Sequence, residues 1–280
     1  MNLQEWRKRF REQLAELYPP SEADWLFFLF LEKEEDISKE KFFMYPETDT
    51  QSSRWPEILR RLCTHEPWQY VAGETEWAGL KLLTKPGILI PRPETEELAY
   101  LIHRHLKNRP PRRILDVATG TGALALALKK FFPAAQVFAT DYRDDILDTA
   151  RRNARHNALE IQILKYDLLR EGIPAGPWDL VVSNPPYVLP SERRKMEANV
   201  LDYEPHDALF VPENDPLVFY KKIMDEFILH ASRDAVLYFE INPLTRHLLE
   251  SEARTRKLKT AFYRDLQGKW RFGRISRKGV

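Results

Sequence analysis

The sequence predicts an α/β protein in which a parallel sheet, covered by helices on both faces, follows a small helical domain. From Arg112 onward, apolar runs alternate with amphipathic segments in the order strand, helix, strand, helix, and this order is typical of a doubly wound sheet. The first 65 residues lack glycine and carry many charges, which indicates a helical bundle. Between the two regions, residues 71–92 combine glycines with β-forming residues and predict a hairpin linker.

The N-terminal region, residues 1–70, predicts three helices. The apolar residues of the first segment fall three or four positions apart and make one helical face: Leu3, Trp6, Phe10, Leu14 and Leu17. Ser21 and Asp24 resemble a capping box that opens the second helix. The segment "EILRRLC" predicts the third helix.

The second domain, residues 93–280, contains seven segments that predict strands. Five of them alternate with helices and predict the parallel part of the sheet: "RRILDVA", "AQVFATD", "IQILKYD", "WDLVVSN" and "AVLYFEIN". The last two, "KLKTAFYRDL" and "WRFGRIS", predict an antiparallel pair that closes the sheet.

Composition and charge exclude several classes of protein. A net charge of +1 gives no general attraction to nucleic acid or to an anionic membrane. The longest apolar run near the N-terminus, "WLFFLFL", is too short to span a bilayer. A single cysteine, Cys63, excludes an internal disulfide framework and favours a reducing compartment. No spacing of histidines suggests a metal site, and we expect a monomer in the cytoplasm.

A glycine-rich turn, "DVATGTGA" at residues 116–123, joins the first strand of the sheet to its helix. Gly120 and Gly122 allow a tight turn and close approach of a ligand. The spelling also fits the dinucleotide fingerprint, a weak signal that an ordinary strand-to-helix turn would share. Asp116 argues against a dinucleotide, because its carboxylate would face the pyrophosphate. It favours a ligand with a positive end and no phosphate, such as S-adenosylmethionine.

Two further carboxylates end the next two strands. Asp141 follows the second strand, where it could accept hydrogen bonds from both ribose hydroxyls of a nucleoside. The alternative is a solvated helix cap, since "DYRDDILD" opens a helix. Asp167 ends the third strand and could accept from an adenine amino group, but an ordinary loop carboxylate is the alternative.

The fourth strand stops at "SNPPYV", residues 183–188, because neither proline can donate to a sheet ladder. The carboxyl ends of parallel strands form the ligand crevice, so we expect Asn184 to face the methyl group of the cofactor. Its side-chain oxygen and the Pro185 carbonyl would accept the two N–H groups of a planar target nitrogen. Pro186 would hold the backbone rigid, and Tyr187 would pack its ring against the target. A plain proline turn after a strand is the alternative.

Four stretches together resemble the PrmC/HemK family, the N5-glutamine methyltransferases of peptide chain release factors. They are "PGILIPRPETEEL" (86–98), "ILDVATGTGALALAL" (114–128), "SNPPYV" and "YEPHDALF" (203–210). The closing "RDLQGKWRFGRI" is similar to the final hairpin of the family, and the resemblance covers residues 60–280. It implies a seven-stranded class I S-adenosylmethionine-dependent methyltransferase domain, which is Rossmann-like, behind a helical domain that docks the substrate.

The resemblance also implies site residues. It implies cofactor contacts from Ala118, Thr119, Gly120, Thr121, Gly122, Asp141 and Asn184, with Leu168 near the adenine. The positions of Asp116 and Asp167, in the glycine-rich turn and at a strand end, add these two residues to the expected cofactor contacts. The target glutamine is expected to meet Asn184, Pro185, Pro186 and Tyr187, of which Asn184, Pro185 and Tyr187 would be catalytic. Ala118 stands where the family usually has glycine or another small residue, and Leu168 replaces a common aromatic residue.

The implied reaction is methyl transfer from S-adenosylmethionine to the glutamine of the Gly-Gly-Gln motif of class I release factors. We expect no membrane partner and no direct nucleic-acid substrate. Two enzymatic alternatives remain, because "NPPY" suits any planar nitrogen: an exocyclic amino group in nucleic acid, or a glutamine of a ribosomal protein. The motif "RPETE", residues 92–96, favours release factors over the ribosomal protein. The non-enzymatic alternative is a cofactor-binding interaction module, against which the intact "NPPY" argues.

Overall fold

The computed structural model describes residues 1–277, which form two compact units. Unit 1 comprises residues 1–73 and 197–203, and unit 2 comprises the rest of the described chain. Most of the stretch predicted as a linker, residues 71–92, therefore belongs to unit 2. Nothing in the sequence indicated that residues 197–203 belong to unit 1.

Unit 1 is helical and packs around aromatic side chains. Its first five helices are α1 (Leu3–Gln13), α2 (Pro20–Glu35), α3 (Lys39–Met44), α4 (Trp55–Cys63) and α5 (Trp68–Ala72). The buried ring of Trp55 stacks on Trp6 with 5.7 Å between ring centroids and meets the edge of Phe10 at the same distance. The apolar face predicted for the first helix is thus the face that α1 buries.

The capping box predicted at Ser21 and Asp24 is wrong. Helix α2 already begins at Pro20, so Ser21 lies inside its first turn, and no side chain caps the helix. The Asp24 carboxylate instead accepts hydrogen bonds from the guanidinium groups of Arg7, at 2.8 Å, and Arg11. These ion pairs hold the pKa of Asp24 well below its usual value, chiefly through the bond from Arg11.

Unit 2 begins with a hairpin and continues as alternating strands and helices. The strands are β1 (Glu74–Trp77), β2 (Leu80–Leu83), β3 (Arg113–Val117), β4 (Gln136–Asp141), β5 (Gln162–Lys165), β6 (Trp178–Ser183), β7 (Ala231–Glu240), β8 (Leu258–Arg264) and β9 (Trp270–Arg277). The remaining helices are α6 (Pro93–Leu106), α7 (Ala123–Phe131), α8 (Asp144–His156), α9 (Leu168–Glu171), α10 (Ala198–Tyr203, in unit 1), α11 (Val218–His230) and α12 (Arg246–Thr255). The sequence pattern did not reveal α9, α10 or α12.

Seven of these strands form one sheet in the order β5-β4-β3-β6-β7-β9-β8. Strands β3 to β7 are parallel, and β9 runs antiparallel between β7 and β8. The predicted α/β fold with a seven-stranded sheet is therefore confirmed. After β3 the chain moves outward to β4 and β5, and it then crosses to β6 on the other side of β3. Such a reversal opens a crevice at the carboxyl ends of the two central strands.

The sheet is buried on both faces. Ile114, Leu180 and Val182 belong to the apolar cluster on one face, whereas Leu115 and Val181 belong to the cluster on the other. Strands covered on both sides need apolar residues at successive positions, which explains the unbroken runs in the sequence. Within residues 1–277, no helix is long and apolar enough to cross a membrane.

Candidate active site

The candidate site lies where β3, β4 and β6 end side by side. Val117 at the end of β3 pairs in register with Thr140 of β4 and Ser183 of β6. The Ser183 hydroxyl donates to the carbonyl oxygen of Val117 at 2.7 Å and ties the two central strands together. Asp141 and Asn184 follow directly, so the sheet brings to one edge two side chains that are 43 positions apart in the chain.

Three cavities open at this edge. The large cavity measures about 300 Å³, the small cavity about 50 Å³, and a third, the slot, about 30 Å³. Asn184 lines all three. The predicted cofactor residues that also line the large cavity are Ala118, Gly120, Asp141, Asp167 and Leu168. Those that also line the small cavity are Asp116, Ala118, Thr119, Gly120 and Thr121.

The glycine-rich turn is shaped by left-handed backbone. Gly120 has φ +56°, and a Cβ built there would meet no atom within 4 Å, so its backbone faces open space. Gly122 has φ +83°, and a Cβ there would lie 3.2 Å from the Cβ of Ala150 in α8. Gly122 therefore allows close packing against α8 and lines none of the three cavities described above. Ala118 also has a positive φ, +58°, which is costly for a residue with a Cβ.

Asp116 lies beneath the turn and is buried, with 1% of its surface exposed. One carboxylate oxygen, Oδ2, accepts from the Thr119 hydroxyl at 2.5 Å and from the Ala125 amide at 3.1 Å. Burial raises the pKa of Asp116 to about 7. The carboxylate thus braces the turn from inside and borders the small cavity; its contact with a cationic ligand stays a prediction.

Asp141 is held by backbone amides at the mouth of the large cavity. Its Oδ2 accepts from Gly120 at 3.1 Å, and its Oδ1 accepts from Tyr142 at 2.8 Å. Helix α8 begins after Arg143, and no side chain caps it. Burial raises the pKa of Asp141 above its usual value.

Asp167 caps a short helix. Its Oδ1 accepts from the amides of Leu169 and Arg170 at 3.1 and 3.3 Å, which is the arrangement of the alternative interpretation. The side chain still borders the large cavity, so a contact with a nucleoside base stays a prediction.

Three of the "NPPY" residues, Asn184, Pro185 and Tyr187, line the slot, whereas Pro186 lines the large cavity. Pro185 is buried, while Asn184 and Tyr187 are half-buried. The Asn184 amide nitrogen Nδ2 donates to the Thr95 hydroxyl at 2.9 Å. The Tyr187 hydroxyl donates to Oε1 of Glu240 at 2.7 Å, and burial together with that carboxylate raises its pKa well above the usual value.

Sequence reasoning missed two residues of this site, Thr95 and Glu240. The Thr95 hydroxyl donates to Oε2 of Glu240 at 2.6 Å, and both side chains are buried. A signal was present, because Glu240 is a lone carboxylate at the carboxyl end of the apolar strand β7. Parallel strands place such residues at the crevice.

The stretch "YEPHDALF" supplies the other wall of the slot. Buried Glu204 accepts from the Arg92 guanidinium at 2.7 Å and from the Ile90 amide at 3.2 Å. Further along, the Val188 amide donates to the carbonyl oxygen of Leu209 at 2.9 Å. The motifs that the sequence places far apart are therefore joined around one slot.

Comparison with known proteins agrees with this geometry. The release factor glutamine methyltransferase of Flavobacterium psychrophilum is 38% identical over 86% of this chain and 87% of its own length. That of Bacteroides thetaiotaomicron is 39% identical over 83% of this chain and 84% of its own length. The chain belongs to the release factor glutamine methyltransferase family. The predicted family is thereby confirmed.

Two further matches describe the catalytic part. Residues 80–202 match the family model described as "Methyltransferase small domain". A crystal structure of ribosomal protein L11 methylase from Lactobacillus delbrueckii subsp. bulgaricus has a TM-score of 0.51 and 25% identity, covering 69% of this chain and 83% of that chain. The chain is a methyltransferase, and its methyl donor is S-adenosylmethionine.

The residues at the large cavity fit such a nucleoside. The Gly120 backbone leaves open space, and Asp141 presents a buried carboxylate to which two hydroxyls can donate. Ile146 and Leu168 supply apolar surface for a flat base. The basic residue in the lining, Arg143, is already paired with Asp145 and Asp207. We expect Asp141 to hold the ribose, and the small cavity beside Asp116 to take the amino-acid end.

Proposed function

We propose that this chain transfers a methyl group from S-adenosylmethionine to the side-chain nitrogen of a glutamine. The glutamine would be that of the Gly-Gly-Gln loop of class I peptide chain release factors. The observation that carries the proposal is the position of Asn184. It borders the large cavity, the small cavity and the slot, and its amide nitrogen is already engaged by Thr95. Its oxygen is left to receive a donor from a substrate.

The chain's part in the reaction is to orient a weak nucleophile. An amide nitrogen is a poor nucleophile because its lone pair is delocalised. The Asn184 oxygen and the Pro185 carbonyl would each accept one N–H of the target amide and turn its lone pair toward the large cavity. S-adenosylmethionine, when bound, supplies a methyl group on a sulfonium, which is a strong leaving group. As the nitrogen–methyl bond forms, the sulfur–methyl bond would break to leave S-adenosylhomocysteine, and the methylated nitrogen, then strongly acidic, would release one proton to water. The chain therefore needs no strong base, and the rate comes from alignment and electrostatics.

The narrow slot favours a glutamine on an extended loop. Its volume is about 30 Å³, and its walls include Leu89, Pro185 and Tyr187. A side chain with a flat amide can enter such a space, and glycines before it let the backbone come close. A base in a nucleic acid would first have to leave its stack.

Mass spectrometry of a class I release factor tests the proposal. Incubation with the protein and S-adenosylmethionine should add a single methyl group to the Gly-Gly-Gln glutamine. A factor whose target glutamine is replaced by alanine is the matched control and should gain none. An isolated Gly-Gly-Gln peptide should react more slowly than the folded factor, since it lacks binding energy remote from the slot.

Parallel arms with ribosomal protein and nucleic acid separate the alternatives. A methyl group found only on ribosomal protein, or only on nucleic acid, would overturn the proposed substrate. Activity on nucleic acid would also fall steeply with salt, because such substrates are held through phosphates.

A further inference from the structure

Glu240 links two side chains of the slot: it contacts Tyr187 directly, and it contacts Asn184 through Thr95. Its Oε1 accepts from the Tyr187 hydroxyl at 2.7 Å, and its Oε2 accepts from the Thr95 hydroxyl at 2.6 Å. Thr95 in turn accepts from the Asn184 amide at 2.9 Å. Glu240 is 1% exposed and Thr95 is 6% exposed, so water does not replace these partners.

In the hydrogen-bonded series Asn184–Thr95–Glu240, the chemistry of the groups fixes which side chain donates and which accepts. Burial raises the pKa of Glu240, while the hydrogen bonds from Thr95 and Tyr187 and the charge of Arg271 oppose that rise. In its ionised form the carboxylate only accepts hydrogen bonds, so the single hydroxyl proton of Thr95 is then committed to Glu240. Thr95 can then only accept from Asn184, which means that the NH₂ end of the amide must point toward Thr95. The Asn184 oxygen must therefore point away from Thr95, toward the cavities.

We propose that Thr95 and Glu240 are positioning residues that fix the side-chain amide of Asn184 with its oxygen toward the target nitrogen. This proposal rests on the proposed function, in which that oxygen accepts a substrate N–H. Without the fixed order, the amide could turn over and present its own NH₂ to the NH₂ of the glutamine. Two donors would then face each other, and the target nitrogen would lose its alignment.

The decisive variant is Thr95→Val, which keeps the shape of the side chain and removes the acceptor. We expect kcat for the release factor to fall at least about tenfold, because alignment of the target is lost. KM for the factor should stay within about twofold, since the Thr95 hydroxyl does not line the slot. Thr95 does line the small cavity, so Kd for S-adenosylhomocysteine is measured as well and kcat is compared at saturating cofactor. Thr95→Ser restores the hydroxyl and should restore kcat.

The matched control is Thr149→Val in α8. Thr149 is equally buried, at 3% exposed, and its hydroxyl donates to the Asp145 carbonyl outside the site. Its kcat should be that of the wild type. A fall in kcat with Thr149→Val as large as that with Thr95→Val would mean that buried threonine hydroxyls matter only for packing, and the proposal would be wrong.

A second readout does not depend on the reaction. The side-chain NH₂ signal of Asn184, assigned by its absence in Asn184→Ala, should exchange slowly with solvent in the wild type and in Thr95→Ser. It should exchange at least about tenfold faster in Thr95→Val, which leaves the amide NH₂ without its acceptor. Calorimetric binding of S-adenosylhomocysteine shows that each variant is folded.

The two readouts separate this proposal from the proposed function. Slow exchange in the wild type without methylation of the release factor would overturn the substrate and leave the positioning role standing. Methylation by the wild type with unchanged kcat and unchanged exchange in Thr95→Val would overturn the positioning role alone.

Discussion

The Asp141 carboxylate at the large cavity is held by main-chain amides, whereas the Asn184 amide at the slot is held by side chains. At the large cavity, Asp141 accepts from backbone amides, and its most distant partner, Gly120, is 21 positions away in the chain. At the slot, the Asn184–Thr95 and Thr95–Glu240 bonds join positions 89 and 145 residues apart. Substitutions at the large cavity should therefore change cofactor affinity, whereas substitutions at the slot should change turnover.

The largest effect is expected for Asn184→Ala. Turnover should fall at least about a hundredfold, as happens when one oriented polar contact to the reacting group is lost. The melting temperature should change little, because Asn184 is half-buried beyond the end of β6. Single-turnover kinetics with saturating release factor measure the effect, and a variant with near-normal turnover would contradict the mechanism.

Asp141→Ala should affect cofactor affinity at the large cavity and not turnover at the slot. Cofactor binding should weaken by about 1–3 kcal/mol, the usual cost when a buried polar partner is removed. Calorimetry with S-adenosylhomocysteine measures this loss. Asp148→Ala, an exposed carboxylate on α8 that pairs with Arg151, is the control and should bind normally. Equal affinities for all three proteins would show that Asp141 does not hold the ribose.

Tyr187→Phe should give a smaller loss, because the proposed contact is the ring face. The hydroxyl still matters indirectly, since it donates to Glu240, and its removal leaves one buried carboxylate oxygen without that donor. We expect kcat to fall less than about tenfold, with unchanged cofactor affinity. A loss as large as that of Asn184→Ala would indicate that the hydroxyl itself acts on the substrate.

The change of cofactor affinity with pH should be a smaller effect than the loss of kcat in Tyr187→Phe. Burial raises the pKa of Asp141, and only the ionised carboxylate accepts from two hydroxyls. Affinity is therefore complete above that raised pKa and declines as pH falls through it. Titration calorimetry between pH 5 and pH 8 measures the trend. Asp141→Asn should bind weakly at every pH, and a slope equal to that of the wild type would assign the titration to another group, such as Asp116.

Ala118→Gly should give the smallest change. The left-handed φ of +58° strains alanine but not glycine, so the free energy of unfolding should rise by up to about 1 kcal/mol. Ala158, with φ +51° at the end of α8, is the matched control, and Ala158→Gly should give a similar gain. Chemical denaturation measures both, and a loss of stability in Ala118→Gly alone would mean that its methyl group packs usefully.

The sequence by itself determined the fold class and the strand-end residues of the large cavity. Parallel strands end where a glycine turn or a carboxylate follows, so "DVATGTGA" and Asp141 could be assigned from local pattern and strand order. The same rule located Asn184. These features could be predicted because each depends on the strand that precedes it in the chain.

Only the tertiary structure decided how the slot is assembled. Thr95 lies in the first turn of α6, Glu240 ends β7, and residues 197–203 belong to unit 1. No local period or spacing connects these segments. The capping-box prediction was wrong for a related reason, because Asp24 accepts hydrogen bonds from arginines of another helix, α1. A buried polar side chain must find partners wherever the fold brings them, and that choice depends on long-range packing, which a single sequence does not display.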